Sequence, residues 1–248
     1  MDTEGNRQND GEVLEHHRSV GIFIKTCSKD LPWLDYCLKS IRKFGSGFSE
    51  LVIMADQDCY GSPVLDNVDV RYCPVPANGY LYQQVCKLNA DKVLNSDLIL
   101  FVDSDCVFMQ PFTPRSFTDS GLPVLIKERW SRFNSEHPVH CWKAITERHT
   151  DFEVEFEYMR RMPLIHDRRI FEIIRGCCPG LAASLMQRMD REFSEFNLLG
   201  AYADHVIPDS YRMLEVGVDD LPNAVCEQFW SWGGISDDIR LRIEGMLS

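Results

Sequence analysis

Leu98-Ile99-Leu100-Phe101-Val102-Asp103-Ser104-Asp105-Cys106-Val107-Phe108 is the stretch on which the fold class turns. Five consecutive apolar residues make a short strand. It runs straight into two aspartates spaced i, i+2. Upstream, 20–25 reads as another buried strand and is followed by a polar loop at 26–30. Between 32 and 44 the apolar residues fall at 33, 34, 37, 38, 41 and 44, with Pro32 near the start and Gly45 just past the end, which predicts a helix. Short apolar runs at 50–55 and 68–73 predict two more strands, and 82–94 carries a second helical pattern that ends near Asn95-Ser96. Strands alternating with helices imply crossover units, hence an α/β fold with a mixed, mostly parallel sheet flanked by helices.

In such sheets ligands bind beyond the carboxyl ends of the strands. The loops at 26–30, 56–60 and 103–105 take that position, and each carries an acidic residue. Downstream, 122–126 predicts a strand, and 151–162 and 181–193 predict helices. The C-terminal part is rich in Trp, Gly and Asp, in Phe229-Trp230-Ser231-Trp232-Gly233-Gly234-Ile235-Ser236-Asp237-Asp238. Trp230 and Trp232 would face one way on a strand, as a sugar-stacking platform if exposed and as core if buried.

The 248 residues are 44% hydrophobic and 26% charged, which excludes global disorder. The polar stretch 1–18 is expected to be a frayed tail, and 19–248 a single domain. The formal charge of −12 disfavours autonomous binding of nucleic acid. No apolar run is long enough for a transmembrane helix, and no h-region of a secretory signal is present, so no stable membrane insertion and a cytoplasmic location are expected. The ten cysteines include no CxxC pair and are expected to be reduced thiols. His137-x-x-His140-Cys141 lacks the second cluster that a zinc site needs.

Asp103 and Asp105 at a strand end suit a hard divalent cation, Mn²⁺ or Mg²⁺, able to take diphosphate oxygens as well. A plain surface turn is the competing reading. Gln84 and Lys87 lie i, i+3 on one helix face and can point at one ligand or at solvent. Arg160, Arg161, Arg168, Arg169 and Arg175 form the basic cluster of the chain; it either holds a phosphate or acidic acceptor or pairs with local acids such as Glu153, Glu155, Glu157 and Asp167.

The ordered set resembles the GT-A-type glycosyltransferases, and most of all a bacterial and phage group of them. It comprises Thr26-x-x-Lys29-Asp30, a strand ending in Asp56, Gln83-Gln84-x-x-Lys87, the acidic pair, then Phe193-Ser194-Glu195-Phe196-Asn197-Leu198-Leu199-Gly200. The resemblance covers roughly 20–215 and implies a Rossmann-like domain with a nucleotide-sugar-binding half at 19–112 and an acceptor-binding half at 113–248. It implies transfer of a sugar from a nucleotide-diphosphate sugar, UDP-sugar favoured, to a hydroxyl of a glycan or another acceptor, modified-base DNA included. Asp103, Ser104 and Asp105 would meet metal, ribose and diphosphate. Thr26, Ser28, Lys29, Asp30 and Asp56 would form the nucleobase and ribose pocket, with Gln84 and Lys87 near the donor. Glu195 would be the catalytic base, with Asp204 and Asp209 in reserve. The late His-x-x-Gly setting of some family members is absent, and His205 is the substitute considered as a third metal ligand. Two other classes stay open. One is a haloacid-dehalogenase-type phosphatase with Asp103 as nucleophile and Asp105 as acid/base; the other is a non-catalytic nucleotide-sugar-binding protein.

Overall fold

The computed structural model describes residues 18–137, 139–188 and 190–248, so the expected tail at 1–18 lies, but for its last residue, outside the described residues. The strands are β1 (Val20–Thr26), β2 (Glu50–Asp56), β3 (Asp69–Cys73), β4 (Leu98–Phe101), β5 (Cys106–Phe108), β6 (Thr118–Asp119), β7 (Leu122–Arg129), β8 (Phe156–Glu157), β9 (Leu164–Asp167), β10 (Arg212–Glu215) and β11 (Cys226–Gln228). The helices are α1 (Leu31–Phe44), α2 (Gly79–Lys87), α3 (His140–Glu147), α4 (Arg169–Cys177), α5 (Leu181–Met186), α6 (Glu195–Val206) and α7 (Asp237–Leu247).

The central sheet has the order β3-β2-β1-β4-β9. β1 pairs in parallel with both β2 and β4, β2 pairs in parallel with β3, and β9 closes the edge antiparallel to β4. The protein is therefore α/β, with a mostly parallel sheet flanked by helices, compatible with a Rossmann-like fold. β1 and β4 are buried at every residue, because helices cover both faces. α1 buries Trp33, Leu34, Cys37, Leu38 and Ile41, the stripe its sequence spacing predicts.

A second sheet, β10-β7-β6 with β8 beside β7, and the antiparallel pair β5-β11 come from the chain after the acidic turn. The two halves of the chain interlock, since β9 completes the first sheet and β11 returns to β5.

Three predicted helices are corrected. The stretch 151–162 is irregular apart from β8; Phe152, Val154, Phe156 and Tyr158 alternate with Glu153, Glu155 and Glu157, a period of two that suits extended chain. The helix predicted at 181–193 stops at Met186. The one predicted at 82–94 begins earlier, at Gly79 behind an Asn78 cap, and ends at Lys87. α6 is buried almost all round, so it shows no amphipathic stripe to find. Among the described residues no helix is long and apolar enough to cross a membrane. No disulfide joins any of the ten cysteines.

Candidate active site

Successive strands step from β1 to β2 to β3 in one direction, and the chain then crosses to place β4 on the other side of β1. This reversal makes a topological switch point beyond the carboxyl ends of β1 and β4, the place where open α/β sheets bind ligands. Thr26–Asp30 leaves β1 there, and Asp103-Ser104-Asp105 leaves β4 there.

The acidic stretch is a tight turn closed by the Cys106 N–H donating to the Asp103 carbonyl at 3.0 Å. It breaks the strand because carboxylates cannot follow Phe101 and Val102 into the core, where these are 0% and 1% exposed. All four carboxylate oxygens have donors. Lys87 Nζ is 2.8 Å from Asp103 Oδ1. The Gln228 amide spans Asp103 Oδ2 at 3.2 Å and Asp105 Oδ1 at 3.3 Å. The Ser231 N–H donates to Asp105 Oδ2 at 2.7 Å. Burial, and then the neighbouring Asp103 charge, push the Asp105 carboxyl up to about 6, against the donors Ser231 and Gln228.

Lys87 also meets Glu195 Oε1 at 3.0 Å and lies 4.6 Å from the centre of the Phe196 ring. Burial alone would lower its pKa; Asp103 and then Glu195 outweigh that and hold it above the ordinary lysine value. Glu195 is raised by burial, with Lys87 pulling the other way. Local sequence explains its position. Ser194 caps α6 by accepting from the Asn197 N–H at 3.3 Å, which puts Glu195 in the first turn, where the helix dipole favours an anion. Gln84 Oε1 accepts from the Glu195 N–H at 3.0 Å, so both Gln84 and Lys87 turn toward α6 and the acidic turn.

The structure thus brings Gln84, Lys87, Asp103, Ser104, Asp105 and Glu195 together. Asp30 lies close enough to act on the Asp105 charge. Thr26 is buried, and Ser28 sits at the rim on Asp58 Oδ2 at 2.7 Å, beside the exposed Lys29. Asp56 is buried, and Lys25 Nζ holds its Oδ1 at 2.6 Å. His205 is ten residues along α6 from Glu195, about 15 Å by helical rise, and stacks on Phe152 at 3.8 Å. It is no partner for the acidic pair. Asp204 is equally remote, held by Lys127 and Tyr158. Sequence reading missed Gln228 and Ser231, and no local signal marks them.

Four of the five arginines in the basic cluster are held by partners within the chain. Arg160 pairs with Glu157 and Glu128, Arg169 with Asp167, Arg175 with Asp91, and Arg168 with the Leu94 carbonyl. A cavity of about 520 Å³ is lined by Arg148, His149, Cys178, Ser184 and Tyr202, and none of the acidic-site residues lines it.

Among the described residues, no group of three or more His, Cys, Asp and Glu side chains is placed to hold a metal ion. Asp103 and Glu195 share the ammonium of Lys87, and Asp105, raised by burial and then by Asp103, lies beside Asp103 in the turn. Carboxylate oxygens are the donor type that a hard divalent cation takes. Gln228 brings a third, neutral amide group to the same two aspartates.

A scan against protein-family models finds no match to the chain, and no curated protein matches it.

Proposed function

We propose that the protein is a metal-dependent glycosyltransferase of GT-A type that moves a sugar from a nucleotide-diphosphate sugar to an acceptor hydroxyl. The observation that carries this reading is the position of the acidic turn at the carboxyl end of β4 beside β1, with the Glu195 carboxylate joined to Asp103 through one buried lysine. Asp103 and Asp105 would hold Mn²⁺ or Mg²⁺, which when bound neutralises charge developing on the diphosphate leaving group. The loop 26–30 would border the nucleoside. Glu195 would take the proton of the acceptor hydroxyl as its oxygen attacks the anomeric carbon, while the bond to the diphosphate breaks and its electron pair leaves with the nucleotide. Lys87 would orient the two carboxylates and oppose protonation of Glu195.

A thermal-shift panel of UDP, GDP, CDP and ADP, each with and without Mn²⁺, tests the reading. A ligand at 100 times its dissociation constant stabilises by about 2.7 kcal/mol, so one nucleotide with Mn²⁺ raises the melting temperature of the wild type, and Asp105→Ala abolishes that rise. No response to any pair would sink the proposal. Trapping of beryllofluoride on Asp103 would favour a phosphatase.

A further inference from the structure

The turn that caps Asp105 also carries the two most solvent-exposed tryptophans of the described chain. Trp232 is 87% exposed and Trp230 53%. They are not on a strand: Ser231–Gly233 is a single 3-10 turn, and Trp230 enters it at φ +57°, a conformation uncommon for a non-glycine residue. The backbone between them is fixed to the acidic site. The Phe229 N–H donates to the Asp105 carbonyl at 3.0 Å, and the Ser231 N–H to the Asp105 carboxylate at 2.7 Å. Two large apolar faces are therefore held in water by the same hydrogen bonds that satisfy the buried carboxylate.

We propose that Trp230 and Trp232 form a stacking subsite for a neutral sugar ring, so that the acceptor is a carbohydrate; this rests on the glycosyltransferase reading for its place in the reaction. A pyranose has an apolar C–H face that packs on an indole, and hydroxyl groups at its edge that need hydrogen-bond partners. The two indoles supply the apolar faces, and the turn that carries them is tied by the Ser231 N–H to Asp105, which brings the polar groups of the acidic site to the same turn. Charge argues for a neutral ligand. The cations nearby are spent, Arg240 on Asp237 at 3.3 Å and Arg242 on Glu227 at 2.7 Å, and Asp238 adds a negative charge just downstream. A phosphate-bearing acceptor, DNA included, would meet repulsion there.

Saturation-transfer NMR on the full chain, with neutral trisaccharides of glucose, mannose, galactose and N-acetylglucosamine, tests the subsite. At least one trisaccharide receives saturation from the wild type. Trp232→Ala weakens its binding by about tenfold or more, whereas Trp232→Phe keeps it within about threefold. Both variants melt with the wild type, because the side chain is almost wholly in water. Equal binding by Trp232→Ala, or no transfer to any of these sugars, overturns the proposal. So does Trp232-dependent sedimentation with phosphatidylcholine vesicles in place of sugar binding, which reassigns the indoles to a lipid surface. The nucleotide panel separates the two readings. Sugar binding without a nucleotide response removes the glycosyltransferase and leaves the subsite; a nucleotide response without sugar binding does the reverse.

Discussion

Asp105 is the residue whose ionisation is most exposed to test. Its folded-state value of about 6 stands above the ordinary 3.8, from burial first and Asp103 second. The native chain therefore binds this proton more tightly than the unfolded chain does. The stability it contributes is complete below the unfolded value and is lost as pH rises through about 6. Asp105→Asn removes the charge and nearly keeps the shape. It should melt a few degrees above the wild type at pH 7.5, and the gap should close by pH 4 in thermal denaturation followed by circular dichroism. A gap of equal size at both pH values would show that charge is not its cause. His166 works with the opposite sign. Burial depresses it to about 3, so the protein gives up stability as pH falls below about 6.5. Replacing His166 by Leu should flatten that acid limb of the stability curve, read by the same melts.

At the scale of elements, α2 and α6 are pinned through one lysine. Lys87 is 4% exposed and Glu195 4% exposed, so neither charge can turn to water if its partner is lost. Lys87→Met should cost about 3–5 kcal/mol in urea denaturation, because Glu195 is left buried without its ion-pair partner. Adding Glu195→Gln should recover about 0.5–3 kcal/mol relative to the sum of the single changes. Strict additivity would mean that the two helices are not coupled through this pair. Gly200 shows a second constraint on α6: a Cβ there would overlap the Cβ and Cγ of Tyr158, so only glycine lets the 156–158 stretch lie against the helix. The regular elements were the legible ones. β1, β2, β4 and α1 are marked by unbroken apolar runs or a clean helical stripe. α6 was not legible, because a helix buried on every side loses its polar face, and 151–158 was misread because its period of two was taken as helical.

On the scale of the whole molecule, the acidic site is closed by chain ends that meet late. β11 pairs with β5, and α7 packs Ile243, 0% exposed, against Trp33 and Val107. The C-terminal turn over Asp105 thus depends on a helix docked behind α1. Ile243→Asp places an unpaired carboxylate in that contact. It should lower the melting temperature by about 10 °C and speed deuterium uptake across 226–247, whereas uptake equal to that of the wild type would show that α7 does not anchor the turn.

By itself, the sequence determined the α/β order of the first half, the acidic turn at the end of a buried strand, and the candidates Gln84, Lys87 and Glu195. These are readable because hydrophobic periodicity, caps and an interrupted apolar run are local properties. Only the tertiary structure decided which candidates share a site. It drew Glu195 to Lys87 and Asp103, sent His205 to the far end of α6, tied Asp56 to Lys25, and paired Arg160, Arg169 and Arg175 with acids. It also supplied Gln228 and Ser231, 125 residues from Asp103 and 126 from Asp105 along the chain. Contacts across such separations depend on how β11 and α7 return to the sheet, and no local pattern of residue types encodes that return.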